Sequence, residues 1–123
     1  ALQAQGVPAA VVMTVSAGND GPGLSTLGFP ASARRAMTVG ATYPGTFLPP
    51  RQDGSQLNDQ VAFFSSRGGE WARPDLVAPG VAYATVVPWD TGEEVKDGTS
   101  MAAPHVAGLA ALADAGARVL VLE

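Results

Sequence analysis

The sequence predicts an α/β fold in which a parallel sheet carries one central helix, and three features predict it. Short apolar runs rich in Val, Thr and Ala recur between glycine-bounded loops, which is how the strands of a buried parallel sheet read. The stretch from Ala102 to Leu112 has the length and composition of a helix. Its small residues, Ala102, Ala103, Ala107, Gly108, Ala110 and Ala111, let other backbone elements come close, so the helix is expected at the centre.

Taken in order, Ala1 to Gln5 reads as the tail of an amphipathic helix stopped by Gly6 and Pro8, so the chain is expected to begin part-way through a fold. Val11 to Val15 is the first strand. The loop Gly18-Asn19-Asp20-Gly21-Pro22-Gly23 follows at its carboxyl end, where open α/β sheets gather their binding residues. Asn19 there is either a turn residue that tolerates left-handed geometry or a functional side chain. A phosphate-cradling loop is disfavoured, because Pro22 removes a donor and no G-x-G-x-x-G opens a helix. A loop at Gly28 to Ala31 leads past a solvated turn at Arg34 and Arg35 to a second strand, Ala36 to Ala41.

Residues 43–60 hold Pro44, Gly45, Pro49, Pro50 and Gly54 without periodicity, the texture of a surface loop or insertion, with Asp53-Gly54-Ser55 as a turn. Val61 to Phe64 reads as a strand entering a polar turn at Ser65 to Gly68. Leu76 to Ala78 and Val81 to Thr85 are extended pieces around Pro79-Gly80, and Trp89 to Lys96 forms a hairpin tip that delivers the chain to Asp97-Gly98. Residues 114–123, with Gly116 and the run Val119-Leu120-Val121-Leu122, are a divergent tail, either a terminal strand or sequence unrelated to the rest. Nothing divides the chain, so it is expected to be one domain portion.

At Gly98 the chain turns into the helix, where a hydroxyl of Thr99 or Ser100 is expected as the cap. Ser100 thereby lies at the positive end of the helix, facing N–H groups without helical partners, a setting that stabilises a developing oxyanion. Pro104 removes the N–H that the Ser100 carbonyl would accept and leaves the first turn irregular. Ser100 is the candidate nucleophile. A serine needs a base, and the chain holds one histidine. His105, five positions on, points about 140° away and lies about 7.5 Å along the axis, so it cannot serve Ser100 and is expected to be a packed residue. Asp97 lies too close to Ser100 for an orienting acid and suits a turn or cap.

The stretch Gly98-Thr99-Ser100-Met101-Ala102-Ala103-Pro104-His105-Val106-Ala107-Gly108 resembles the signature around the catalytic serine of the subtilisin-like serine peptidases, or subtilases. Ser16-Ala17-Gly18-Asn19-Asp20-Gly21-Pro22 is similar to the family's oxyanion-hole segment, and Arg73-Pro74-Asp75-Leu76-Val77-Ala78-Pro79-Gly80 to the block before the serine loop. The blocks stand in the family's order. The resemblance implies a subtilisin-like layered α/β fold of which this is the C-terminal portion, and a serine endopeptidase. It gives Ser100 the role of nucleophile and Asn19 that of oxyanion donor. Ser16, Ala17 and Gly18 become one wall of the substrate pocket, and Asp75 a structural residue.

The family's acid and base belong to segments upstream of the oxyanion block. No His-Gly-Thr stretch occurs here, so an N-terminal half of the domain is the expected partner, beside a peptide or protein substrate. No cofactor is required. A structural calcium is compatible with the resemblance, without nameable ligands, and a secreted or extracytoplasmic location is implied.

A net charge of −4, with 15% charged residues, offers no basic field to nucleic acid, and no apolar run has the length of a membrane span. The lack of cysteine excludes disulfides. Two other readings are a non-catalytic scaffold that kept the subtilase core and a small α/β domain binding through residues 18–23. The second leaves the serine signature unexplained.

Overall fold

The computed structural model describes residues 12–84, 89, 92 and 94–114. The elements are β1 (Thr14–Ser16), β2 (Met37–Tyr43), β3 (Gln60–Val61), β4 (Leu76–Pro79), β5 (Val81–Ala84), β6 (Glu94–Asp97) and α1 (Thr99–Asp114). β2 is the centre of the larger sheet. It pairs in parallel with β1, in the register Val15 to Thr38, and in parallel with β4, in the register Gly40 to Val77. The expected parallel sheet is therefore present, with α1 packed on β1, β2 and β4.

The sequence of β2 explains its central place. From Thr38 to Thr42 every residue is buried, so Thr, Val, Gly and Ala supply shape on both faces without charge. The buried polar groups are satisfied locally: Thr38 donates its hydroxyl to the Ala31 carbonyl at 2.5 Å and its N–H to Asp75 Oδ2 at 2.7 Å. Asp75 thus ties the entry of β4 to β2, the structural part expected of it. Val39, Ala41, Ala62, Ala78, Ala102 and Val106 form the core, a cluster of small side chains that brings helix and sheet close together.

Two expectations need correction. Only Gln60–Val61 pairs, antiparallel to Tyr43 and Thr42, and the expected strand through Phe64 ends there. Ser65 Oγ accepts from the Ala41 N–H at 3.0 Å while the Ser65 N–H bonds the Ala62 carbonyl, and these bonds curl the chain off the ladder. Phe63 is left exposed, and Phe64 meets Tyr43 edge-on with ring centroids 5.8 Å apart. The helix, second, is covered on one face only. Thr99, Ala102 and Val106 are buried, whereas Ala107, Gly108, Leu109, Ala111 and Leu112 are exposed, because the described elements against the helix, the larger sheet and the pair formed by residues 81–84 and 94–97, leave that face uncovered.

β5 and β6 form a separate antiparallel pair running from Val81 opposite Asp97 to Ala84 opposite Glu94, the expected hairpin leading into the helix. The 43–60 loop contains one 3₁₀ turn at Gly45–Phe47 and rests on the hairpin through Phe47 and Tyr83, 5.8 Å apart. Asp53 and Ser55 do form a turn. Asp53 Oδ1 accepts from the Ser55 hydroxyl and N–H, and these bonds hold the fully exposed carboxyl below its ordinary pKa. The expected helix tail at Ala1 to Gln5, most of the hairpin tip and the tail beyond Asp114 lie outside the described residues.

Candidate active site

The two segments singled out by the sequence meet at the carboxyl end of β1. Asn19 Oδ1 accepts two hydrogen bonds from Thr99, one from its N–H at 3.0 Å and one from its hydroxyl at 3.0 Å, across 80 residues of chain. The Gly18 N–H in turn donates to Thr99 Oγ1 at 3.1 Å. Thr99 can only donate through its N–H, which fixes the Asn19 amide with oxygen toward the helix and Nδ2 turned away. Thr99 is 1% exposed, while Asn19 and Ser100 are exposed beside it.

The expected cap is therefore replaced. Neither the Thr99 nor the Ser100 hydroxyl closes the helix end. The first-turn N–H of Thr99 is taken by a side chain from the far loop, and the Ser100 hydroxyl has no hydrogen-bond partner among the described residues. Ser100 also carries one of the first-turn N–H groups that no helical carbonyl reaches. The next, that of Met101, bonds the Gly98 carbonyl at 3.0 Å.

Glycine is required on either side, at Gly18 by this approach and by its backbone, at Gly98 by the backbone alone. Gly18 has φ +104°, and a Cβ there would lie 2.9 Å from Ser66 Oγ. Gly98 has φ +148°, and its missing Cβ would stand 3.4 Å from Asn19 Nδ2. Ser66, buried, holds the loop from below: its N–H donates to the Gly18 carbonyl at 2.9 Å, and its Oγ accepts from the Asp20 N–H at 3.1 Å. Asn19 is thus gripped on both sides in sequence by one serine. Nothing in the sequence singles out Ser66 beyond its place in a polar turn, and Thr99 stands out there only as an alternative cap.

Of the candidate substrate wall, Ser16 and Gly18 are half-buried and Ala17 is 1% exposed, its N–H bonded to the Val39 carbonyl. His105 is exposed and not packed as expected. It lies on the uncovered part of α1, where Nδ1–H donates to the Met101 carbonyl at 2.8 Å. A carbonyl accepts only, so this bond puts the proton on Nδ1. Among the described residues no three or more His, Asp or Glu side chains converge as a metal-holding group, so no ligand set is assigned to the calcium that the resemblance allows. No described helix is long and apolar enough to cross a membrane.

The Thr99 hydroxyl has a measurable weight. Thr99→Val removes an acceptor from the Gly18 N–H and a donor from Asn19 Oδ1 while keeping the side-chain shape. The expected loss is about 1–3 kcal/mol of stability, read from the midpoint of denaturant unfolding, with most of it restored by Thr99→Ser.

Known proteins resemble the chain in sequence and in fold. The model of the Subtilase family matches residues 1–118. Pyrolysin of Pyrococcus furiosus is 38% identical over 131 residues, which cover 88% of this chain and 9% of pyrolysin. Alkaline elastase YaB of a Bacillus species is 41% identical over 108 residues, covering 88% of this chain and 24% of that protein. Among solved structures, Sphericase superposes with a TM-score of 0.62 at 32% identity, over 81% of this chain and 32% of Sphericase. The chain spans no more than about a quarter of the length of these two curated relatives.

Proposed function

Because the chain belongs to the subtilase family, we propose that it supplies the nucleophile and the oxyanion-binding part of a serine endopeptidase. Ser100 Oγ attacks the scissile carbonyl, and the Ser100 N–H and Asn19 Nδ2 donate to the oxygen as it takes on charge. Collapse of that adduct, with the base returning the serine proton to the leaving nitrogen, expels the amine and leaves an acyl group on Ser100, which water then removes. The base that takes the Ser100 proton is a histidine oriented by a carboxylate, and both come from residues this chain does not contain. Ser16 and Gly18 line the substrate pocket through their backbone, with the Ala17 side chain packed behind them. By kinship with the family, the protein acts outside the cytoplasm on peptide or protein substrates.

The observation that carries this reading is the bonding of Asn19 Oδ1 to Thr99, which turns Nδ2 away from the helix next to a Ser100 whose hydroxyl has no hydrogen-bond partner among the described residues. The test joins this chain to upstream residues bearing the Asp and His of a subtilase and exposes the product to a fluorophosphonate probe. Labelling at Ser100, lost in Ser100→Ala, is expected. A folded, joined protein that takes no label would be a scaffold.

A further inference from the structure

On the strength of the peptidase reading, we infer that Ser66 is a positioning residue for the reaction, one that sets where Asn19 Nδ2 stands by fixing the backbone on both sides of it. A donor to a developing oxyanion has to be in place before the charge appears. Thr99 alone does not put it there. Both of its bonds end on one atom, Asn19 Oδ1, and an amide held at one atom can still swing its nitrogen around that atom. Asn19 is exposed, so little packing opposes the swing. The second point of attachment has to be the main chain that carries the side chain.

Ser66 supplies it. Its N–H donates at 2.9 Å to the Gly18 carbonyl, which belongs to the peptide unit entering Asn19. Its Oγ accepts at 3.1 Å from the Asp20 N–H, which belongs to the peptide unit leaving Asn19. Peptide units are rigid planes, so φ and ψ of Asn19 are nothing other than the relative orientation of these two. Because the donor and the acceptor sit on one residue, that orientation varies only with the rotamer of a single serine. Gly18 lacks the Cβ that would stand 2.9 Å from Ser66 Oγ, and this lets the hydroxyl come up against the loop.

Ser66 is itself held. It is 1% exposed. The residue before it, Ser65, accepts through Oγ from the Ala41 N–H of β2 at 3.0 Å, and the residue after it, Arg67, donates its N–H to Thr26 Oγ1 at 2.8 Å. A line of hydrogen bonds therefore runs from the central strand through Ser65 and Ser66 to the backbone of Asn19. Thr99 fixes the oxygen of the amide and Ser66 the chain that bears it, which leaves Nδ2 one place to be.

The test uses this chain joined to upstream residues bearing the Asp and His of a subtilase. Ser66→Ala deletes the acceptor of the Asp20 N–H, frees ψ of Asn19 and keeps the bond to Gly18. It should lower kcat about tenfold with KM unchanged, since a small misplacement of a catalytic group costs rate and not ground-state binding. In the Asn19→Asp background, where no Nδ2 remains to be placed, Ser66→Ala should change kcat by less than about twofold. An ester in place of the amide between Asn19 and Asp20 removes the Asp20 N–H and leaves Ser66 and its packing as they are. It should reproduce the tenfold loss, and it carries the test where Ser66→Ala does not fold. With the parent active, a kcat within about twofold of it in both perturbed proteins would overturn the inference and leave Ser100 and Asn19 in their roles. A rise in KM in place of the fall in kcat would do the same. So would an equal loss of kcat in the Asn19→Asp background, which would give Ser66 a merely structural part. A folded, joined parent without turnover removes the peptidase reading itself, and the inference falls with it.

Discussion

Offered a broad peptide substrate, the chain by itself should release product no faster than its own Ser100→Ala variant. The Ser100 hydroxyl stays protonated at neutral pH unless a base receives its proton. The single histidine is five residues along the same helix, exposed, with its Nδ1 proton engaged by the Met101 carbonyl. In subtilisin, a member of this family, removal of triad residues leaves a measured residue of about 10³–10⁴ over water. That figure belongs to subtilisin and is the ceiling here, since it requires a complete binding cleft. Robust turnover lost in both Ser100→Ala and His105→Ala would show that these residues contain a working base, and the proposed division of labour would be wrong.

Once a histidine and its acid are supplied from upstream residues, Asn19→Asp should lower kcat by about 10²–10³ with little change in KM. That range is the measured effect of losing the corresponding donor in subtilisin, and is taken from it. The choice of Asp rests on the geometry in this chain. Aspartate keeps an oxygen where Oδ1 accepts from the Thr99 N–H and hydroxyl, so the brace survives, while Nδ2 becomes an oxygen that cannot donate. Stability should therefore stay near that of the parent as the rate falls, and a donor used only in the transition state should leave KM nearly unchanged. A kcat within about threefold of the parent would remove Asn19 from the chemistry.

Much of the framework is legible in the chain because it rests on local composition. β2 is an uncharged run with turns at either end, and β1 leads straight into the glycine-rich loop that holds Asn19. The polar turn after β3 is legible in kind but not in extent. Whether Ala62 to Phe64 continues a ladder depends on which partner Ser65 finds, and that partner, the Ala41 N–H, lies 24 residues away. The helix cap fails as a local reading for the same reason: a hydroxyl at Thr99 is the expected cap until an amide from Asn19 takes its place. Ala107, Leu109 and Leu112 read as buried because small and apolar residues suit a helix covered on all sides. Their exposure is a property of what packs against the helix, which composition does not encode.

The bond from the Thr99 N–H to Asn19 Oδ1 also has a meaning in time. Ser100 follows Asn19 by 81 residues, and at translation rates of about 5–20 residues per second it emerges roughly 4–16 s later. Throughout that interval the amide has no helix to orient it, and β1 has no α1 against it. When α1 does arrive, closing so long a loop costs on the order of 4 kcal/mol in chain entropy, which the packing of Ala102 and Val106 on the sheet must outweigh before Asn19 Oδ1 can take the Thr99 N–H. Until the sheet has closed on α1, Asn19 and Ser100 are therefore two separate side chains on the growing polypeptide.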